Sequence, residues 1–209
     1  MSIIYHEGNR RLQDQFDSRR IADRLEQVSA RTAFTDDDKA FVESRMFFFL
    51  ATATPQGRPT CNLKGGTAGF VRVVAPDELA FPDYDVNGMF LSIGNVSANP
   101  NVGLLFIDFE KPGRLRVDGE ARVSRDDPLI RHTVGAQLMV RVKVRAIFPN
   151  CPRYIPRMQL AEPSIYAPRD GVAPPEPVWK SFPVFKDAVH PRQKTYTGRS
   201  KETTKPTTK

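Results

Sequence analysis

VGLLFIDFEKPGRLRVDGEARVS, residues 102–124, reads as two strands joined by a tight turn. The segment Val102 to Phe109 is apolar, aromatic and too short for a helix. Lys111-Pro112-Gly113 supplies the turn, and Arg114 to Ser124 continues as a long strand. Strands joined by a short turn pair antiparallel. This stretch therefore predicts an antiparallel, mainly-β core.

The flanks repeat the pattern. Downstream, Asp127-Pro128 opens a short helix with proline at its first position. Gln137 to Phe148 then alternates Val142, Val144, Ala146 and Phe148 against Arg141, Lys143 and Arg145, a period-two strand with one wet face. Upstream, Asn87 is placed to cap a short helix running to about Ala98. Before it come Met46 to Ala53 (MFFFLATA), Pro59 to Lys64, Phe70 to Val74 and Leu79 to Phe81, separated by Pro55-Gln56-Gly57-Arg58, Gly65-Gly66 and Ala75-Pro76-Asp77-Glu78. Six or seven short strands joined mostly by hairpins predict closure into a small barrel, which removes exposed edges.

Helices precede the strands. Leu12, Phe16, Ile21, Leu25 and Val28 keep one stripe over residues 9–28 and predict an amphipathic helix that docks across the barrel or on a second subunit. Thr35, followed by three aspartates, reads as the N-cap of another helix. After Pro149 the chain is Pro-rich and predicts an extended arm. The division expected is a helical extension (1–34), a split barrel (35–160), the arm (161–189) and a disordered basic tail (190–209).

Composition bounds the function. The chain has 209 residues and a net charge of +7. The last 20 residues hold six Lys/Arg and one Glu, so the other 189 carry only +2. A basic face for nucleic acid is thus poorly supported, and the tail reads as solvated or as a contact for RNA or anionic lipid. No apolar run reaches the ~20 residues of a membrane span. Cys61 and Cys151 form no disulfide framework, which points to a reducing, cytoplasmic compartment. Metal, P-loop and serine-hydrolase motifs do not occur.

Two clusters stand out. Lys64-Gly65-Gly66-Thr67-Ala68-Gly69-Phe70-Val71-Arg72 has three glycines in five residues between two cations. It suits backbone approach to a flat anionic cofactor, or it is a plain glycine turn. Phe81 to Asn95 joins a strand end to a helix start, where amides with Asn87 and Ser92 could hold a phosphate, or simply cap the helix.

Taken together, Asn99-Pro100-Asn101-Val102-Gly103-Leu104-Leu105-Phe106, Gly69-Phe70-Val71-Arg72-Val73, the strand from Arg114 through Arg116, Val117 and Gly119 to Ala121, and Asn150-Cys151-Pro152-Arg153-Tyr154-Ile155 resemble the pyridoxamine 5′-phosphate oxidase-like FMN-binding split barrels. The resemblance spans roughly residues 35 to 160. It implies a six-stranded antiparallel split β-barrel with flanking helices, a homodimer, and FMN in a groove at the dimer interface. By position, Thr67, Phe70, Val71 and Arg72 would line the isoalloxazine and ribityl chain, with Pro82 and Asp83 meeting the flavin. Asn87, Met89 and Ser92 would lie where the phosphate is gripped, with its charge met by Lys64, Arg72, Arg153 or helix amides. Arg114 would reach the pyrimidine edge of the ring, or stand as a surface arginine.

Two departures matter. The oxidases carry an adjacent Arg-Lys pair where this chain has Asn87, Gly88 and Met89, and they end in an Arg-x-His motif that does not follow Trp179 here. Oxidation of pyridoxine phosphate itself is therefore not expected. Trp179 would pack on the partner's flavin or on the barrel. The expected activity is FMN-dependent hydride or electron transfer between a donor such as NAD(P)H and a small molecule. Its rivals are a non-catalytic flavin-binding or sensing protein, the same fold with F420 or haem, and an RNA-binding barrel.

Overall fold

The computed structural model describes residues 2–84 and 87–189, and the basic tail lies outside them. Seven strands form one sheet: β1 (Phe47–Ala53), β2 (Pro59–Gly65), β3 (Arg72–Ala75), β4 (Glu78–Tyr84), β5 (Asn101–Asp108), β6 (Gly113–Ser124) and β7 (Ala136–Pro149). Every pairing is antiparallel, in the order β2-β1-β5-β6-β7-β4-β3. The mainly-β expectation holds, with a correction to the expected closure. There are seven strands, within the six or seven read from the sequence and one more than the resemblance implies, and β2 and β3 remain as edges, so the sheet is not closed, as a split barrel requires.

The opening hairpin aligns Val102 with Gly119 and Asp108 with Gly113. Alternation decides its faces: Val102, Leu104, Phe106, Leu115 and Val117 point inward. They meet Phe48 and Leu50 of β1, Leu79 and Phe81 of β4, and Val140 and Val142 of β7, all fully buried. β7 bends around this core at a bulge beside Gly119. A Cβ at Gly119 would stand 2.3 Å from the Lys143 carbonyl oxygen, so only glycine lets the two strands approach there.

The expected helix over residues 9–28 is two helices, α1 (Glu7–Gln15) and α2 (Arg19–Ser29). Asp17 breaks it in the left-handed conformation, φ +49°, and the Ser18 N–H donates back to the Gln13 carbonyl at 2.8 Å. α3 (Asp36–Glu43) starts as expected: Thr35 accepts from the Asp38 N–H, and Asp38 accepts from the Thr35 N–H. The helix expected from Asn87 starts later, as α4 (Leu91–Ala98). The third expected strand also moves, from 70–74 to Arg72–Ala75, because residues 67–71 form a turn. A 3-10 turn, Pro128–His132, follows Asp127, whose carboxylate caps the Leu129 N–H.

Past β7 the arm is extended and touches the barrel where the Met158 N–H donates to the Phe109 carbonyl, 2.9 Å. Trp179 packs edge-on against Phe185 of the same arm, ring centroids 5.7 Å apart. No helix among the described residues is long and apolar enough to cross a membrane.

Outside the barrel, Arg141 of β7 ties the loop after β6 to the start of β4. It donates to Asp127 and, at 2.8 Å, to Glu78, which also accepts from Arg122. The Arg141 hydrogen bond holds the Asp127 carboxyl below the ordinary aspartate range. Burial pushes Glu78 up, but the hydrogen bonds from Arg141 and Arg122 outweigh it, and its carboxyl also lies low. Carboxyls with depressed folded-state values stabilise fully above their unfolded values, roughly pH 4 to 4.5. That contribution is lost as pH falls through the depressed values. Urea unfolding from pH 6 to pH 2 is expected to show this loss, and Arg141→Met should flatten the profile below about pH 4.

Candidate functional site

The sheet's two ends face one another across the split, and the candidate site lies in that gap. Along β2, Cys61 and Leu63 point outward, while Thr60, Asn62 and Lys64 are partly buried on the opposite side. The β2 face is fixed against α4 by hydroxyls and an amide. Asn95 Nδ2 donates to Thr52 Oγ1 at 3.0 Å and to Thr60 Oγ1 at 3.2 Å, and the two hydroxyls are 2.8 Å apart.

Lys64 spans the gap. Its Nζ lies 3.0 Å from Asp83 Oδ1 on β4, a strand with which β2 does not pair. Asp83 is buried, and its second oxygen accepts from Gln137 Nε2 of β7 at 3.2 Å. The Gln137 amide also donates to the Tyr84 carbonyl, 3.1 Å away. Both Asp83 oxygens are therefore engaged by donors from two other strands.

Between these groups and the start of α4 is an open cleft lined by Asn62, Leu63, Lys64, Asp83, Tyr84, residues 87–93 and Gln137. The loop enters through Gly88, φ +73°, and the Asn87 side-chain oxygen accepts from the Met89 N–H. Phe90 takes the N-cap position of α4 in the left-handed region, φ +48°, and provides no side-chain cap. A non-glycine residue held there stores strain, as is common where a loop is shaped for a ligand. The first-turn amides of α4 lack a side-chain acceptor. Asn62 Nδ2, in the same cleft, is buried with no hydrogen-bond partner. Around the mouth, Leu63, Met89, Phe90 and Leu91 are 45–62% exposed.

Of the sequence-expected residues, Lys64, Asp83, Asn87, Met89 and Ser92 come together at this cleft. The others lie elsewhere. Phe70 and Val71 are core, with Phe70 stacked on Phe48 at 5.9 Å. Thr67 opens the turn, its carbonyl accepting from the Phe70 N–H. The glycine cluster serves that turn: a Cβ on Gly66 would meet the Phe70 ring carbons at 2.6–2.9 Å, and Gly69 has φ +82°. Arg72 points to backbone, with its guanidinium donating to the His132 carbonyl at 3.3 Å. Pro82 is buried in β4 opposite Met139. Arg114 sits opposite Ile107, its buried Nε without a partner, and Arg153 is exposed after β7.

Sequence reasoning missed Asn62, Gln137 and the Phe90 turn. The period-two rule does put Asn62 on the face of Lys64, two residues away. Nothing local reports Gln137, which reaches the cleft only through the β4–β7 pairing.

Chemically, one wall brings three donors together: the Lys64 ammonium, the orphaned Asn62 Nδ2 and the uncapped start of α4. That set fits a phosphate monoester, and the apolar mouth fits a flat aromatic body beside it. The one carboxylate at hand is already satisfied by Lys64 and Gln137.

The sequence profile of the family described as pyridoxamine 5′-phosphate oxidase matches residues 34–161. No curated protein matches the chain. Among solved structures, a pyridoxamine 5′-phosphate oxidase-type protein of Lactobacillus delbrueckii is 20% identical, covering 58% of this chain and 99% of its own, with a TM-score of 0.47. HutZ, the heme storage protein of Vibrio cholerae, is 20% identical over 54% of this chain and 91% of its own, TM-score 0.41. An FMN-binding protein of Syntrophomonas wolfei is 10% identical over 67% and 97%, TM-score 0.43.

Proposed function

Because the chain belongs to the pyridoxamine 5′-phosphate oxidase family, we propose that the cleft between β2 and α4 binds FMN. On this reading the protein is an FMN-dependent oxidoreductase of a small molecule and acts as a homodimer. The observation that carries it is the orphaned Asn62 Nδ2 beside the uncapped first turn of α4 and Lys64. A buried donor without a partner is costly, and a ligand oxygen removes that cost.

When bound, FMN supplies hydride acceptance from a donor such as NAD(P)H and electron transfer to an acceptor. The chain's own residues bind and orient it. Asn62 and the α4 amides hold the phosphate oxygens, and Lys64 adds positive charge. Asp83 and Gln137 fix Lys64 across the gap. Met89, Phe90 and Leu91 shield the ring from water, and the exposed mouth leaves room for a second subunit to finish the enclosure. The loop offers Asn87, Gly88 and Met89 rather than an Arg-Lys pair, and Trp179 is engaged with Phe185. Pyridoxine phosphate is accordingly not the proposed substrate.

The absorption spectrum of untreated purified protein tests the cofactor. A two-band flavin spectrum is expected. A haem Soret band, the single band of F420, or a colourless protein that takes up no added FMN would overturn the reading. Bleaching by NADH or NADPH in stopped flow separates turnover from mere binding. Asn62→Leu is expected to weaken FMN binding about 10-fold, the value of one hydrogen bond to a charged group. Its urea midpoint without FMN should rise rather than fall, because the substitution removes a buried donor that nothing in the chain satisfies.

A further inference from the structure

The helical hairpin α1–α2 lies ahead of the matched residues 34–161 and is built inside out. Its inner face is polar. Arg10 pairs with Asp23, stacks over Tyr5 at 4.8 Å and approaches Glu26, which itself accepts from Ser2 and the Ile3 N–H. Its apolar side chains point away from the fold: Leu12, Phe16, Ile21, Leu25 and Val28 are 51–74% exposed. A helix pair normally buries its apolar stripe and leaves its charges wet, so this arrangement is complete only when something covers the stripe.

We infer that the stripe is a docking face for a second copy of this chain. The inference rests on the paired state proposed above and adds a second contact surface to the one at the cleft mouth. Area supports it. The five side chains expose roughly 500 Å² of apolar surface, and a standard interface buries about 800 Å² per partner, of which roughly 60% is apolar. Charge argues against a lipid bilayer as the cover. Residues 2–34 hold six arginines and five carboxylates, without the cationic excess an anionic membrane selects. One end of the hairpin is tethered: Arg31, two residues past α2, exchanges two backbone hydrogen bonds with Ile147 of β7, at 2.9 and 2.7 Å, and its guanidinium grips Asp38. The chain also has apolar surface to offer in return. Tyr154, Ile165, Val178 and Val184 of the arm are 58–89% exposed, and a twofold pair uses each such surface twice.

Sedimentation velocity on the full chain tests this with Phe16→Asp/Leu25→Asp. Both positions are more than half exposed, so the variant is expected to keep its fold, which circular dichroism checks. The wild type should sediment as a dimer at micromolar concentration. The double variant should dissociate at least about 100-fold more readily, the scale of two interface anchors. A variant that dimerises as tightly as wild type overturns the docking face and leaves the paired state standing. A wild type that is monomeric throughout overturns both, while flavin uptake is read separately. Wild-type binding to phosphatidylserine vesicles that the variant loses would assign the stripe to lipid and overturn the inference.

Discussion

Phe48→Ala is expected to destabilise the protein by about 4 kcal/mol, as large-to-small changes at a buried aromatic do. Phe48 is fully buried on β1, and its ring lies 5.0 Å from both Phe81 of β4 and Phe106 of β5, and 5.9 Å from Phe70. It joins parts of the sheet that share no backbone pairing, since β1 and β4 stand at opposite sides of the split. Truncation removes transfer free energy and leaves a cavity that three rings cannot collapse into without moving separate elements. For a chain of this length the loss corresponds to a fall in Tm of roughly 8–16 °C. Phe48→Leu should cost under half as much. Urea unfolding checks both, and a loss below about 1.5 kcal/mol for the alanine variant would mean the split is held by something other than this cluster.

The second large effect is at the ion pair across the gap. Lys64→Met is expected to cost about 3 kcal/mol, because it leaves the buried Asp83 carboxylate with Gln137 as its remaining side-chain donor. Replacing both partners is different in kind. Lys64→Met/Asp83→Asn leaves no uncompensated charge and should recover most of the stability. FMN uptake should not recover, since the cation beside Asn62 is still missing. Equilibrium unfolding and flavin titration on Lys64→Met, Asp83→Asn and the double variant give the cycle. Equal stability of single and double variants would show that Asp83 is solvated well enough to need no partner.

Elements dictated by local chemistry were legible in the sequence. The β5–β6 hairpin follows from alternation and Lys111-Pro112-Gly113, and the α3 start from Thr35 and its aspartates. The break at Asp17 was not, because no glycine or proline marks it; the trace is a five-residue step from Phe16 to Ile21 within a stripe of threes and fours. At the site, Lys64, Asp83, Asn87, Met89 and Ser92 were found, whereas Asn62 and Gln137 were not. They meet through strand order, which no single segment encodes. Glycines misled for the same reason: Gly66 makes room for Phe70, a packing need indistinguishable in sequence from room for a ligand.

The order of strands also bears on how the chain comes off the ribosome. β4 finds its second partner only when β7 exists, with Leu79 opposite Val142, and β1 waits for its second, β5, with Leu50 opposite Leu104. The β1–β2 and β3–β4 hairpins must therefore persist with bare edges while dozens of residues are translated. Such long-delayed closure slows folding and exposes adhesive strand edges on the nascent chain. Synthesis should thus depend on chaperone supply more than the stability of the finished fold would indicate.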